Sequence, residues 1–220
     1  MDREKIEKTK VDFSVQPMLD AREKTQKAVS LIAARVVPGM LEEEGRELAD
    51  QILSELGSNK RWHRSWVRFG ENTLKHYGIP STPNVRLKEN DIFFLDVGPI
   101  WNGYEADFGQ TFTVGNNLEM DACVNAAREL FDRVKAYWEN SSPSGHELYR
   151  YAAQEAESIG YPLHLEQANG HRLGDFPHAI HYKGSIASLE FSPSRHLWVL
   201  EIQIKHPRLP FGAFVEDLLV

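Results

Sequence analysis

The sequence contains a single cysteine, Cys123, so no disulfide can form within the chain, and a reducing compartment is expected. It also lacks any run that approaches the roughly 20 apolar residues needed by a membrane-spanning helix. The segment MDREKIEKTK at the start is charged throughout and contains no apolar core of a secretory signal. These absences predict a cytoplasmic protein that neither enters a membrane nor is secreted.

Clusters of lysine and arginine are missing as well, and the formal net charge is -7. The lysines near the N-terminus alternate with glutamates, so they form no basic face, and a nucleic-acid partner is not expected. Cys123 lies in an apolar setting with helical spacing, which indicates a buried structural thiol rather than a nucleophile.

With 220 residues, of which 41% are hydrophobic, the chain is long enough for one substantial core and too short for two typical domains. We predict an N-terminal arm at residues 1–17, outside the core, and a single catalytic domain at residues 18–220. Helices are predicted over residues 19–36, 41–57, 121–138 and 144–159, the last beginning with a capping box of Ser144 and Glu147. Strands are predicted near residues 62–69, 91–114 and 184–220, and together these elements indicate an α+β fold with a curved, mostly antiparallel sheet.

Two aspartates, Asp96 and Asp107, lie eleven positions apart in the segment DIFFLDVGPIWNGYEADFGQTFTV. Asp96 closes an apolar run that predicts a buried strand, and a buried carboxylate stays ionised only when it is paired, hydrogen-bonded or bound to a cation. The turn residues Asn102 and Gly103 allow the second run to fold back antiparallel, which would bring the two aspartates together. Since aspartate after a strand is also a common turn former, the pair alone leaves a structural role open.

The C-terminal third adds further donors of the same kind. His171 occurs in NGHRLGDFPHAIH, Glu201 in the apolar run WVLEIQI, and Glu216 in GAFVEDLLV. Both glutamates are flanked by apolar residues, as in strand interiors, where an ionised side chain is costly without a partner. Two aspartates, two glutamates and one histidine form an oxygen-rich set that suits Mn, Fe, Co or Zn ions, and the hypothesis is a dinuclear site.

In order and spacing, these five residues resemble the metal ligands of the pita-bread metallopeptidases, the group that contains methionine aminopeptidase, Xaa-Pro aminopeptidase and prolidase. The resemblance covers about residues 20–220, and the pattern of GEN followed by HY is more similar to the Xaa-Pro branch. The segments that carry it are GENTLKHY, ENDIFFLDVG, GYEADFGQTF, HRLGDFPH and FVEDLLV. It implies a pita-bread fold, without the extra N-terminal domain that Xaa-Pro enzymes usually have.

The resemblance also implies a dinuclear hydrolase that cleaves the N-terminal peptide bond of short peptides, expected to be of the Xaa-Pro type, with a hydroxide bridging the metals. Two divalent ions (Mn, Co, Fe or Zn) are the implied cofactors, and a homodimer is a further expectation. Asp107 and Glu216 would bridge both ions, Asp96 would chelate one, and His171 with Glu201 would complete the other. Glu201 would also act as the general base.

Three further histidines receive roles from the same resemblance. His76 and His178 would contact the scissile carbonyl or the developing oxyanion and transfer a proton. His181 is a weaker candidate in the same loop. For any single histidine among the nine in the chain, an ordinary surface or core position is the alternative.

The chain departs from the family pattern at several positions close to the implied ligands. Around the first glutamate, the family usually has Thr-Ile-Glu-Pro, whereas this chain has Val199, Leu200, Glu201 and Ile202. A usual arginine is replaced by Phe214, a usual histidine by Gln167, and a second usual arginine by Gln110. These replacements leave three alternatives open, which are methionine aminopeptidase activity, creatinase-like hydrolysis of a non-peptide C-N bond, and a non-catalytic binding protein of the same fold.

Overall fold

The computed structural model describes residues 2–75, 78–164, 168–175 and 177–220. Its strands are β1 (Trp66–Phe69), β2 (Asp91–Val97), β3 (Ile100–Trp101), β4 (Tyr104–Glu105), β5 (Phe108–Val114), β6 (His171–Arg172), β7 (Trp198–Lys205) and β8 (Gly212–Leu218). Its α-helices are α1 (Arg3–Ile6), α2 (Val15–Ala33), α3 (Glu42–Glu55), α4 (Leu118–Ser141) and α5 (Gly145–Ser158). Short 3-10 helices occur at Gly70–Leu74 and Ile186–Ser188.

A sheet of six antiparallel strands, in the spatial order β1-β2-β5-β8-β7-β6, forms the centre of the protein. Helices α2 and α3 pack against β1, β2 and β5, whereas α4 packs against β7 and β8 and against α5. Apolar side chains fill both layers, with Ile32, Leu53 and Leu95 in the first and Leu130 and Ile202 in the second. The predicted α+β class with helices flanking an antiparallel sheet is confirmed.

The register of the sheet places acidic residues of distant segments in one row. Asp96 of β2 lies opposite Gly109 of β5, Gly109 lies opposite Glu216 of β8, and Glu216 lies opposite Glu201 of β7. Directly opposed residues of antiparallel strands project to the same face of the sheet. Asp107, two residues before Gly109, projects to that face too. The sheet therefore gathers four carboxylates on one face.

The helix predictions differ from the structure mainly at their ends. The first helix spans Val15–Ala33 rather than 19–36, the helix predicted over residues 121–138 extends over Leu118–Ser141, and the capping box of Ser144 and Glu147 is present. The turn at Asn102 and Gly103, both with positive φ, connects the small β3-β4 hairpin. Strands β2 and β5 pair antiparallel as predicted, with this hairpin inserted between them.

The N-terminal segment contacts the rest of the protein through a few residues. Most side chains of residues 2–17 are exposed, but Ile6 is buried, the Glu7 carboxylate accepts a hydrogen bond from Trp198 Nε1 (2.8 Å), and α2 already begins at Val15. The division into an arm at residues 1–17 and a domain at residues 18–220 stays a prediction. One strand prediction is wrong. Residues 184–197 form no strand apart from a single bridge at Ser185, and they include a 3-10 helix. This segment covers the start of α5, where the Gly145 and His146 amides donate to the carbonyls of Phe191 and Leu189.

Cys123 is fully buried in the α4 layer, and burial raises the pKa of its thiol to about 12, in agreement with the structural role predicted for it. No helix among the described residues has both the length and the apolar character needed to cross a membrane.

Candidate metal centre

The carboxylates on the shared face of the sheet meet two histidines in two groups of three. One group is His63, Asp96 and Asp107, and the other is Asp107, His171 and Glu216. Within each group, one ligand atom from every residue lies within 4.8 Å of the others. Asp107 belongs to both groups, so the two candidate metal sites adjoin each other.

Asp107 is the centre of this arrangement, and each of its oxygens faces a different imidazole. Oδ2 lies 2.8 Å from His171 Nε2, and Oδ1 lies 3.3 Å from His63 Nε2. The side chain is 2% exposed, so its charge must be balanced by these neighbours or by a cation. Glu216, also buried, lies within hydrogen-bonding reach of Asp96, Asp107 and Glu201.

Burial and repulsion dominate the electrostatics of these groups. Burial, with the charge of Asp107 added to it, raises the pKa of Asp96 to about 7 against the opposing effect of His63. Burial also raises the pKa of Glu201 and, together with the charges of Asp107 and Asp96, raises the pKa of Glu216 well above its usual value. So many acids together are stable as carboxylates only if positive charge lies among them.

The two histidines supply part of that positive charge. Burial alone lowers the pKa of His63 and of His171, but the neighbouring carboxylates outweigh it and raise both values to about 9. Burial likewise acts to raise the pKa of Asp107, yet the hydrogen bonds from His171 and His63 hold it below its usual range. Two imidazolium charges still do not balance four carboxylates.

The donor set fits the divalent ions that the sequence implies. Asp96 Oδ1 and Glu216 Oε1 are buried and accept no hydrogen bond from any of the described residues. A buried oxygen without a donor costs about 1–3 kcal/mol, and a cation between the carboxylates would satisfy both atoms. Carboxylate oxygens combined with imidazole nitrogens are ligands suited to Mn, Fe, Co and Zn.

Glu201 lies in the same cavity but in neither group of three. Its Oε2 accepts a hydrogen bond of 2.7 Å from the Gly170 amide, which fixes the carboxylate beside His171. Gly170 has a φ of +67°, and a Cβ there would lie 2.7 Å from the Val199 carbonyl oxygen, so only glycine fits this position. The cavity has a volume of about 290 Å³ and opens over the two groups. Its wall includes Trp62 and the segment from Lys183 to Ser185.

His178 lies at the edge of the centre, as expected from the sequence. Its ring stacks on Trp62 with centroids 3.8 Å apart and an interplanar angle of 15°. Its Nδ1 lies 3.0 Å from Glu105 Oε2, and because a carboxylate only accepts, Nδ1 carries the hydrogen. Glu105, which is 1% exposed, therefore fixes the orientation of His178.

The other residues singled out in the sequence lie in different places. His181 lines a small cavity with Glu105 and Arg172 and is not among the residues that line the cavity over the two groups. His76 and Gln167 lie outside the described residues, and their predicted roles stay predictions. Gln110 projects away from the acidic row, toward the Arg128 guanidinium, which donates to the amide oxygen once the amide is turned so that its oxygen faces the arginine.

Three residues of the centre were missed by the sequence interpretation, namely His63, Trp62 and Glu105. Trp62 and His63 precede β1 in the polar segment NKRWHRS, where no periodicity indicates which side chains turn inward. Glu105 lies within the motif GYEADFGQTF, between the two aspartates, and its position beside a predicted metal ligand was the only available signal.

Comparison with known proteins agrees with this geometry. Residues 16–220 match the model of metallopeptidase family M24. The Xaa-Pro dipeptidase of Pyrococcus furiosus is 24% identical over 176 residues, which are 77% of this chain and 48% of that protein. A methionine aminopeptidase of Clostridium acetobutylicum is 34% identical over 106 residues, 46% of this chain and 40% of the relative. The chain thus spans about half the length of the curated relatives that it matches.

Solved structures show the same fold. An Xaa-Pro dipeptidase from Bacillus anthracis superposes with a TM-score of 0.79 at 20% identity, covering 99% of this chain and 61% of that one. A methionine aminopeptidase from Thermotoga maritima superposes with a TM-score of 0.69 at 17% identity, covering 96% and 92%. The predicted pita-bread fold is confirmed. With its match over nearly the whole length, the chain belongs to metallopeptidase family M24.

Proposed function

We propose that this protein hydrolyses the N-terminal peptide bond of short peptides, with Xaa-Pro peptides as its substrates, and that two divalent ions are its cofactors. The observation that carries the proposal is Asp107, whose two oxygens face His63 and His171 in two adjoining groups of ligands beneath an open cavity. Asp96, Asp107, His171, Glu201 and Glu216 are the proposed ligands. When bound, the ions would supply Lewis acidity and lower the pKa of a water molecule toward neutrality.

The proposed proton transfers involve two side chains. Glu201 is the general base, because its Oε2 is held by the Gly170 amide and the carboxylate borders the cavity. Its Oε1 would take a proton from the attacking water and deliver it to the leaving amine. His178, held through Nδ1 by Glu105, would contact the substrate carbonyl through Nε2, which donates a hydrogen bond when the ring carries a hydrogen on both nitrogens.

The Xaa-Pro preference is supported by similarity to the Xaa-Pro dipeptidases of P. furiosus and B. anthracis. A cytoplasmic location is proposed as well, since a chain with one buried cysteine gains nothing from an oxidising compartment.

A small peptide panel tests the proposal. Xaa-Pro dipeptides, Xaa-Pro-Yaa tripeptides and Met-Ala-Ser are incubated with protein reconstituted with Mn, Co, Fe or Zn, and bound metal is quantified in parallel. Cleavage before proline is the expected result. Release of methionine alone would contradict the Xaa-Pro assignment, and no hydrolysis by protein with two ions bound would contradict the peptidase assignment. Glu201→Gln protein, purified identically, controls for contaminating peptidases.

A second candidate function is hydrolysis of a non-peptide C-N bond, and Phe214 favours it. Phe214 lies two positions before Glu216 on the same face, and its ring contacts Phe94 with centroids 5.3 Å apart. The buried ring puts an apolar group beside the acidic row, where the resemblance leads one to expect the cation of an arginine. A screen of small C-N metabolites that is positive where all peptides are negative would support this candidate over the first.

Glu105 is expected to act as a positioning residue for His178. Glu105→Leu removes the acceptor of Nδ1–H and is expected to lower kcat about 100-fold, the lower end of what a general acid or base contributes. Glu105→Gln keeps an acceptor oxygen and should retain more activity, and both variants should keep normal metal content and KM. Equal activity of Glu105→Leu and the unmodified protein, measured on the best peptide of the panel, would refute this role.

A further inference from the structure

His63 is a buried histidine that the family resemblance assigns to no role. It lies just before β1, and its Nδ1 is 2.7 Å from the carbonyl oxygen of Arg64. A carbonyl oxygen only accepts, so Nδ1 must carry the hydrogen and donate it. The other nitrogen, Nε2, is thereby the one with the free lone pair in a neutral ring, and it points into the centre.

Among the residues that the structure describes, Nε2 of His63 faces two acceptors and no donor. Asp107 Oδ1 lies at 3.3 Å and Asp96 Oδ1 at 3.4 Å. A neutral imidazole lone pair directed at two carboxylate oxygens is repelled, so a cation must lie between these atoms, either a second proton or a metal ion. The Oδ1 atom of Asp96 has no hydrogen-bond partner among the described residues, which leaves it available to the same cation.

The distances around His63 Nε2 suit a metal ion. A charge-assisted N–H···O bond between imidazolium and carboxylate is typically about 2.7–2.9 Å long. Two ligand atoms that each lie about 2.0–2.1 Å from a tetrahedral ion are separated by about 3.4 Å. The separations of 3.3 and 3.4 Å around His63 Nε2 match the second spacing, and both are longer than the first.

His63 also repeats the arrangement of His171, which is one of the five implied ligands. Nδ1 of His171 contacts the carbonyl oxygen of the next residue, Arg172, at 3.2 Å, while its Nε2 faces Asp107 Oδ2. A metal-binding histidine typically donates its second nitrogen in this way, which fixes the ring and the tautomer. The two rings therefore approach Asp107 from its two oxygens with the same pattern of contacts, although the 2.8 Å between His171 Nε2 and Asp107 Oδ2 is shorter than the 3.3 Å between His63 Nε2 and Asp107 Oδ1.

The pocket that holds the His63 ring is closely fitted. Trp62 packs edge-on against it with ring centroids 4.2 Å apart. A Cβ at Gly98 would lie 2.2 Å from His63 Cδ2 and 2.3 Å from Nε2, so a glycine at this position is required for the ring to reach the carboxylates.

We propose that His63 Nε2 is a sixth ligand of the centre and binds the ion held by Asp96 and Asp107, so that each of the two ions has one imidazole ligand. An added nitrogen ligand at the carboxylate-rich position shifts its preference from Mn toward Zn, Co or Fe. The inference rests on the two-ion centre of the proposed function and is independent of the substrate.

X-ray absorption of zinc-loaded protein tests the proposal without any activity measurement. Zinc is added to two equivalents per chain, bound zinc is quantified, and imidazole ligands are counted from their multiple-scattering signals. We expect about one imidazole per zinc in the unmodified protein and, at concentrations where both zinc ions remain bound, about half that number in His63→Leu. We also expect His63→Leu to bind one of the two ions at least about 100-fold more weakly. That loss exceeds the one expected for a residue that only hydrogen-bonds a metal ligand.

Matched variants separate the alternatives. His171→Leu should halve the imidazole count in the same way, whereas replacement of the exposed His146 by alanine and of His178 by phenylalanine should leave it unchanged. Gly98→Ala displaces the His63 ring without removing it and should reproduce the effect of His63→Leu. It replaces His63→Leu in the experiment if that variant does not fold. About half an imidazole per zinc in the unmodified protein, or fewer than two zinc ions bound, would overturn the proposal. Absence of peptide hydrolysis with about one imidazole per zinc would refute only the proposed function.

Discussion

Replacing Asp107 with asparagine is expected to abolish tight binding of both divalent ions and to lower peptide hydrolysis by at least about a thousandfold. The reason is that Asp107 belongs to both ligand groups and faces His63 and His171 with its two oxygens. Asparagine has nearly the same shape, but it carries no charge and places an NH₂ donor where one ligand oxygen was. The several kcal/mol that metal ions contribute to such catalysis correspond to at least about a thousandfold in rate.

The measurement for Asp107→Asn combines metal analysis with kinetics. Metal content per chain is determined after dialysis against a weak chelator, and hydrolysis of the best peptide substrate is measured with the same samples. Asp132→Asn on the exposed side of α4 is the matched control, and it should retain both ions and full activity. An Asp107→Asn protein with two ions still bound and normal hydrolysis would contradict the metal mechanism itself.

The acidic residues of the centre were predictable because their local context was informative. Asp96, Glu201 and Glu216 each interrupt an apolar run, and strand periodicity then indicates that they share a face with few polar neighbours. What the sequence did not specify is the register that puts Glu201 opposite Glu216. The family resemblance, rather than the periodicity, is what connected these residues before the structure did.

His63 could not be predicted, because its position depends on distant contacts. The segment before β1 has no regular spacing, and the ring reaches the centre only because Gly98 leaves space and Trp62 packs beside it. Contacts of the N-terminal segment were equally hidden from the sequence. Its charged composition suggested an exposed arm, but Glu7 accepts from Trp198 Nε1 and Ile6 is buried, contacts that composition does not reveal.

A partly buried ion pair between α2 and β8 supports the strand that carries Glu216. Arg22 donates from Nε to Asp217 Oδ1 at 2.7 Å and from Nη2 to Oδ2 at 2.5 Å. The side chains are only 25% and 12% exposed. Burial raises the pKa of Asp217, an effect that Arg22 opposes. Asp217 also receives hydrogen bonds from Gln26 Nε2 and from the Leu218 amide, so it remains hydrogen-bonded, though not neutralised, if Arg22 is removed.

Replacing Arg22 with methionine is therefore expected to lower the free energy of unfolding by about 3–5 kcal/mol, because it leaves a buried carboxylate without its counter-charge. Methionine keeps the apolar stem of the side chain, so the loss reports the charge rather than the packing. Urea unfolding followed by tryptophan fluorescence measures it. The matched control is Arg133→Met, whose pairs with Glu129 and Glu155 are exposed and worth about 0.2–1 kcal/mol.

The double variant Arg22→Met, Asp217→Asn decides whether the loss comes from the uncompensated charge. Since it removes both charges and retains an amide that can accept from Leu218, it should be more stable than Arg22→Met alone. If the double variant is no more stable than the single one, or if Arg22→Met is as stable as Arg133→Met, the pair does not support β8. Because β8 places Glu216 against Asp107 and Asp96, Arg22→Met should also weaken the binding of zinc while leaving every ligand in the chain.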